Sequence, residues 1–571
     1  MKRSLLLIML CLVVIGGVLI SSCAKTTATP STTTTAPKPT TTTTAPTTTT
    51  TAPKPTTTTA PTTTTAAVQP YGTLRIASGG GTTGFTYESV DPNFWETFWG
   101  WAIYDPLVTF DPQGNVIGVV ADSWTLSADG KTYTFKIHQG IKFSNGDPLT
   151  AADVKFSVDR FASHDSANTT STNPWSPYLQ RNFASTSAPD DYTFVYNMQT
   201  PEPMLLVPFT YVRILPQKYF NSVGGTDAFR KAPIGSGPYK FVSLVHSVSC
   251  TLEANTSYWG AIKPQYKTII DYLVPEESTR VAMLKSGDAD ITYGLSPDRI
   301  VELKGLGYTL QYQSLATLFN ISFPGTWETT SPTKDIRVRQ AMSYSVNRQE
   351  MCSTYYRGLA VPGSRWFMDP TGWGWDPSWQ PDPYDLAKAK SLLAAANYPA
   401  AYADPVIQIY AQTGDQANFV QLLKGYWDAA GIQTKINIVD SITYAGMFFT
   451  GSRAPTAKNV GAIIPWIYGT YANSVYHSAN MYTPTGVHGT GGPNDTKAQD
   501  LYNKVVSDLD PAQARTDYTA FQNYVYTMWV NVGMLEMPTY MVVGPNLGKF
   551  TTFYAEGIYY QLSGIQHPAG K

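Results

Sequence analysis

An unbroken apolar run at residues 5–20 stands at the front of the chain, with Lys2 and Arg3 before it and Ser21, Ser22 and Cys23 after it. Charged, apolar and small residues in that order make the layout of a secretory signal. As a helix the 16-residue run would span about 24 Å, short of a hydrocarbon core of about 30 Å. A signal is therefore expected, not a membrane span. Residues 24–67 then show no hydrophobic period at all, being almost entirely Thr, Ala and Pro with two Lys-Pro steps. Such a stretch cannot bury enough apolar area to offset its ordering entropy, so a disordered stalk is expected, reaching about 130 Å if extended. Thr at this density is also the composition of an O-glycosylated spacer.

Folded patterning begins near Tyr71. Residues 73–77 read as a short strand, and Gly79-Gly80-Gly81 lacks the spacing of a phosphate loop or a dinucleotide fingerprint, so a turn is expected there. Further on, Trp124-Thr125-Leu126-Ser127 and residues 132–137 flank Asp129-Gly130, with Tyr133, Phe135 and Ile137 alternating onto one face. That pattern predicts a hairpin. Thr150-Ala151-Ala152-Asp153 predicts a capping-box start to a helix whose Val154, Val158 and Phe161 form one stripe. Asp382, Pro383 and Asp385 fit N-cap, first-turn and capping-box roles for a helix with Leu386, Ala389, Leu393 and Ala396 on one face.

Composition narrows the classes. A chain of 571 residues exceeds what one core supports, so two or more lobes are expected. Only 14% of residues are charged and 43% are hydrophobic, with 40 basic against 41 acidic side chains. Loss of a signal at residues 1–22 would remove Lys2 and Arg3 and take the formal charge from −1 to −3. A near-neutral chain has no excess positive field to condense on phosphate, and nucleic acid is not an expected partner. Aromatics reach 13%, with 37 Tyr and 14 Trp, and such amphipathic rings suit wet clefts as well as cores.

The segment Ile20-Ser21-Ser22-Cys23 resembles a bacterial lipobox, in which the Cys is diacylated and becomes the first mature residue. An ordinary signal followed by a free Cys is the alternative. No other stretch has 18 or more consecutive apolar residues, so the lipid on Cys23 would be the sole tether. Of the remaining cysteines Cys11 lies in the signal, and Cys250 and Cys352 are equally compatible with a disulfide and with free buried thiols.

Several motifs occur in an order that resembles one family. They are Tyr104-Asp105-Pro106-Leu107-Val108, Ala121-Asp122-Ser123-Trp124, and the run from Gly140-Ile141-Lys142-Phe143 through Asn145-Gly146-Asp147-Pro148 to Asp153-Val154. Ile234-Gly235-Ser236-Gly237-Pro238-Tyr239, Asn255 with Tyr258-Trp259, and Thr279-Arg280 leading to Gly287-Asp288-Ala289-Asp290-Ile291 follow. Then come the run from Ile336-Arg337-Val338-Arg339 to Val346-Asn347-Arg348, Gly358-Leu359-Ala360-Val361-Pro362, and the helix after Asp385. The order closely resembles family 5 of the bacterial extracellular solute-binding proteins, the group of dipeptide, oligopeptide and nickel receptors, from about Leu74 to at least Gly431.

The resemblance implies an α/β fold of two lobes, a Venus-flytrap with a subdomain inserted in the first lobe. Mapped on this chain, lobe I is 72–107, 216–315 and 536–571, the insertion 108–215 and lobe II 316–535. It implies a monomeric, lipid-anchored receptor on the outer face of the cytoplasmic membrane, periplasmic or cell-surface, that closes on a small polar ligand and delivers it to the permease subunits of an ABC importer. A sensor in place of an importer would fit the same features. These motifs mark scaffold, and Arg337 and Arg339 are expected to be solvated helix charges or structural pairs.

Three regions are candidates for ligand contact. The first is Phe94, Trp95, Glu96 and Trp99, where the helical spacing of the two Trp also suits core packing. The second is Trp366 and Phe367. The third is Trp466, Tyr468 and Gly469, which looks like the family segment where an aspartate pairs with a peptide's α-ammonium group. Here that position is Gly469, and no Asp or Glu occurs between Asp440 and Asp495. An unpaired buried ammonium is costly. Either another carboxylate such as Glu96 pairs with it, or the ligand is a neutral oligosaccharide held on aromatic faces.

No catalytic, metal or cofactor site is expected. The six histidines are scattered without a zinc spacing, there is no Cys-x-x-Cys, and no Gly-x-Ser-x-Gly elbow is present. A surface enzyme acting on glycans or peptides is the rival from another class.

Overall fold

The computed structural model describes residues 70–79, 98–111, 115–162, 176–323, 330–365, 375–412, 414–440, 443–444, 464–469, 475–484, 495–545 and 547. Cys23 lies outside these residues. Among them, no helix is long and apolar enough to cross a membrane.

One mixed sheet runs through the molecule. Its strands in chain order are β1 (Thr73–Ser78), β2 (Tyr239–Val245), β3 (Ser249–Ala254), β4 (Thr268–Leu273), β5 (Ile291–Tyr293), β6 (Thr309–Ser322), β7 (Val361–Pro362), β8 (Ile464–Gly469) and β9 (Asn531–Val543). In space they lie in the order β8-β6-β9-β5-β1-β4-β3-β2, and β7 also pairs with β9. The strand expected at residues 73–77 is β1, extended by one residue. It lies parallel to both of its neighbours, β4 and β5.

Separate apolar clusters divide the chain. One gathers Leu74, Ile103, Tyr104, Tyr239, Leu252, Ile269 and Met541 around the β1–β4 region, and we call that part lobe I. A second draws wholly on residues between Leu107 and Ile214. Its frame is a four-stranded antiparallel sheet in the order Ala121–Leu126, Thr132–Ile137, Thr193–Met198, Phe183–Asp190. The third and fourth clusters, which make up lobe II, include Phe319, Ile321, Val338, Leu393, Trp427 and Leu535, and Leu318, Tyr482, Tyr502, Tyr518 and Val525.

Local expectations in the insertion hold. Gly130 turns the hairpin with φ +69°, a conformation that costs glycine little. Tyr133, Phe135 and Ile137 are buried, as are Val154, Val158 and Phe161 on the helix Ala151–Ala162. Asp153 reaches back to the Thr150 amide at 2.9 Å, and its other oxygen accepts from the Gln217 amide at 2.9 Å, tying this helix to the chain re-entering lobe I.

Two corrections concern lobe II. The helix Leu386–Ala395 is capped by Asp385, whose carboxylate accepts from the Lys388 amide. Asp382, expected at the N-cap, is instead buried and accepts from the Ser343 hydroxyl at 2.7 Å. Arg339 is buried, donating to the carbonyls of Thr333, Lys334, Met528 and Trp529, whereas exposed Arg337 pairs with Asp335 and donates to the Ala395 carbonyl. Burial draws the Arg339 guanidinium down to about 10.

The cysteine question resolves cleanly, since Cys250 belongs to the lobe I core and Cys352 to lobe II, and both thiols are free and buried. Burial pushes both upward, Cys352 to about 12. Neither is a poised nucleophile at neutral pH.

Candidate ligand-binding site

β6 and β9 are the longest strands of the sheet, at 14 and 13 residues. β9 runs from Leu535 in the lobe II core to Met541 and Val543 in the lobe I core, while β6 carries Phe319 and Ile321 in the lobe II core and Leu310 against a small cluster of Leu284, Leu303 and Val542. They pair from Thr309↔Val543 to Tyr312↔Tyr540, and again from Ala316↔Pro538 to Ser322↔Asn531. Between these two ladders residues 313–315 face only Thr539. Pro538 supplies no N–H, so the ladder is thinnest where the strands change core. A crossing of this kind is a place for a hinge.

β8 sits beside this crossing and sets three of the candidate positions. Its register places Trp466 opposite Asn320, Tyr468 opposite Leu318 and Gly469 opposite Thr317. Gly469 is thus at the end of lobe II nearest the ladder break. β8 is also the terminal strand of the sheet, with β6 as its single sheet partner among the described residues. The strand Ile407–Ala411 lies near β8 without a ladder joining the two among the described residues.

On the lobe I side, β4, β1 and β5 are adjacent parallel strands with their carboxyl ends together. Ligands of open α/β sheets bind outside such ends. Arg280, buried on the helix Glu277–Ser286, donates at 2.7 Å each to the carbonyls of Val274 and Pro275 beyond β4 and of Gly294 beyond β5. Gly79 ends β1 against this guanidinium, where a Cβ would lie 2.8 Å from Nη1. The first glycine of the expected turn is therefore a packing requirement.

The segment that follows β1 carries Phe94, Trp95 and Glu96, which fall outside the described residues. Trp99 is described, and it lies 3% exposed on the helix Phe98–Ile103 within the lobe I core.

Trp366 and Phe367 also fall outside the described residues, but the chain entering them is held tightly. Arg365 stacks over the rings of Tyr526 and Trp529 at 3.8 and 3.7 Å, donates to the Tyr526 carbonyl, and lies 3.2 Å from Asp382 Oδ1. Gly533 on β9 permits this approach, since a Cβ there would collide with the Ser364 carbonyl. This clamp was not foreseen, because nothing in the local pattern around Arg365 shows two aromatic residues more than 160 positions downstream.

Among the described residues no group of three or more His, Cys, Asp or Glu could hold a metal ion. What the arrangement offers is two lobes, a thin crossing, a strand terminal in the sheet among the described residues on one side and clustered strand ends on the other.

The comparisons fit this frame. Residues 115–489 match the model of the bacterial extracellular solute-binding proteins, family 5, middle region. The chain is 26% identical over 470 residues to the glutathione-binding protein GsiB of Pectobacterium atrosepticum, covering 79% of this chain and 86% of that one. It is 27% identical over 388 residues to GsiB of Salmonella typhimurium, covering 64% and 72%. Its fold is similar to Helicobacter pylori DppA in complex with the peptide STSA, with TM-score 0.74, 21% identity and coverage of 87% and 98%. It is also similar to Bacillus subtilis AppA in complex with a nonapeptide, with TM-score 0.71, 19% identity and coverage of 88% and 99%.

Proposed function

The chain belongs to the bacterial extracellular solute-binding proteins of family 5, the substrate-binding proteins of ABC importers, and we propose that its ligand is a short peptide or peptide-like solute. The observation that carries this reading is the place of β8, terminal in the sheet among the described residues and with its Gly469 end next to the β6–β9 crossing. An extended peptide adds to such a strand through main-chain hydrogen bonds, which give affinity without regard to side chain. The names of relatives point the same way, since they bind glutathione or peptides.

Gly469 changes how such a ligand is held. With no carboxylate on this segment, the α-ammonium group of a peptide must be paired elsewhere, and Glu96 is the candidate in the segment after β1. Backbone pairing on β8 then carries more of the affinity. A neutral oligosaccharide is the second reading, favoured by the same lack of a carboxylate between Asp440 and Asp495.

Capture proceeds by closure about the thin ladder. A ligand that bridges both lobes binds the closed form better than the open one, and only that difference moves the equilibrium. The closed form is what the permease subunits recognise. Cys23 carries the lipid, the Thr/Ala/Pro segment spaces the receptor from the membrane, and the receptor acts as a monomer without catalysis.

The test is a thermal-shift screen of the purified chain with reduced glutathione, di- to pentapeptides and oligosaccharides. A ligand that binds only the native state raises the melting point in step with its excess over Kd. Shifts with peptides are expected. Shifts with sugars alone would replace the peptide reading by the second one.

A further inference from the structure

The inserted subdomain is joined by the chain to lobe I only, yet it touches lobe II. Arg181, at the end of the helix Ser176–Arg181, donates through Nη2 to the Tyr502 hydroxyl and to Glu202 Oε1, both at 2.6 Å. Its guanidinium lies over the rings of Tyr178 at 4.9 Å and Tyr502 at 5.3 Å. Tyr502 is 1% exposed and stands on the lobe II helix Thr496–Ser507. Glu202 is buried and is itself oriented by the Asn182 amide at 2.8 Å.

Two further contacts cross the same seam. The hairpin tip is so close to the elbow before the helix Pro511–Met528 that a Cβ on Gly130 would lie 2.5 Å from Leu509 Cδ2. Met204 packs on the lobe II cluster that contains Tyr502. Connectivity does not demand any of these contacts, because lobe II reaches the rest of the fold through β6 and β9. Rotation about that crossing would part them.

We propose that Arg181 and Tyr502 form a clasp between the inserted subdomain and lobe II that holds the receptor closed and so sets its affinity for every ligand without touching one. The proposal rests on the peptide-receptor reading for its ligands, but the clasp itself can be read without them. A charge-assisted hydrogen bond, donated from a cation whose carboxylate partner is already oriented, is stronger than a neutral one. Any loss of the closed fraction lowers the apparent affinity of all ligands in the same proportion.

Tyr502→Phe removes the hydroxyl and keeps the ring. It is expected to weaken reduced glutathione and the tetrapeptide Ser-Thr-Ser-Ala by one common factor, about tenfold. In the ligand-free chain it is expected to speed hydrogen exchange at the hairpin tip, residues 127–132, and at the elbow, residues 506–511. Leu509→Asp, at an exposed position, should act in the same direction and guards against a simple folding defect in the Tyr502 variant. Different factors for the two probes would make Tyr502 a ligand contact and overturn the clasp. Unchanged exchange in both variants would overturn it equally. If neither probe binds the wild-type chain, the peptide reading fails for these ligands, while accelerated exchange would still uphold the clasp.

Discussion

Two buried aspartates stand at equivalent tasks in the two lobes and are satisfied by opposite means. Asp105 lies where the chain leaves lobe I for the insertion, and its partners are all neutral: the Ser236 hydroxyl at 2.9 Å, the Tyr258 hydroxyl at 3.1 Å and the Trp259 indole at 2.9 Å. Asp382 lies in lobe II shortly before the helix Leu386–Ala395, and its surroundings are cationic. Ser343 donates to it at 2.7 Å, Arg348 donates in turn to Ser343 at 2.7 Å and to the Asp382 carbonyl, and Arg365 flanks its other oxygen. One site is a dipolar cradle and the other a charge-compensated knot. Burial raises the Asp105 carboxyl above its usual range, opposed by the hydrogen bonds from Trp259, Ser236 and Tyr258. It draws the Arg348 guanidinium down to about 10, a base still charged at neutral pH.

The contrast breaks most sharply at Asp382. Replacing it by Ala leaves Arg348 and Arg365 buried without their counter-charge, and removal of one partner from such a pair costs about 3–5 kcal/mol. Denaturant unfolding of Asp382→Ala should show a loss of that size. An effect under about 1 kcal/mol, the range of exposed pairs, would mean that the carbonyls of Ser343 and Gly533, which Arg348 also contacts, suffice to hold it.

Asp105→Ala should cost less, about 2 kcal/mol, because the donors it strands are neutral and the substitution also relieves a buried carboxylate. Its pH dependence sharpens the comparison. A carboxyl whose native pKa is raised binds its proton more tightly when folded, so its contribution is fullest below the unfolded value of about 4. That contribution declines as pH rises through the native value. The stability advantage of the wild type over Asp105→Asn should therefore shrink from about pH 4 upward and then level off. Urea unfolding across that range checks this, and an advantage that grows with pH would contradict it.

These two nodes also explain what was legible in the sequence. Tyr104-Asp105, Gly235-Ser236-Gly237 and Tyr258-Trp259 were matched as separate motifs, and the fold brings them to one carboxylate. The run ending in Arg348 and the turn before Arg365 converge likewise on Asp382. Motifs that recur in one order across a family reported the frame, so the α/β two-lobe reading followed from them. Asp382 was misplaced at the helix N-cap because local spacing cannot see partners brought in from 17 to 39 positions upstream, Arg365 and Ser343. The candidate site was legible only as positions. Register puts Trp466, Tyr468 and Gly469 on an edge strand, and no sequence period distinguishes an edge from a centre. Trp99 shows the remaining ambiguity, since the same helical spacing serves a cleft and a core, and it is packed in the core of lobe I.

A buried polar group with neither dipolar nor charged partners gives the smallest expected effect and the cleanest contrast with both nodes. Asn320 on β6 is 0% exposed, and both its side-chain nitrogen and its oxygen lack a hydrogen-bond partner among the described residues. Its neighbours in register are Trp466 on β8 and Gly533 on β9. Two positions along the same face, Ser322 donates to Asn531, whose amide donates to the Tyr482 hydroxyl, so polar groups here can be paired when the geometry supplies partners. An amide desolvated without return weighs against folding, and an apolar group of like shape removes that penalty. Asn320→Leu should therefore raise the unfolding free energy by about 1 kcal/mol. A loss of more than about 1 kcal/mol on the same scale would show that an ordered water satisfies the amide and makes it part of the structure. The sign of this one difference separates a tolerated defect in the strand beside the candidate ligand edge from a third, water-filled polar node.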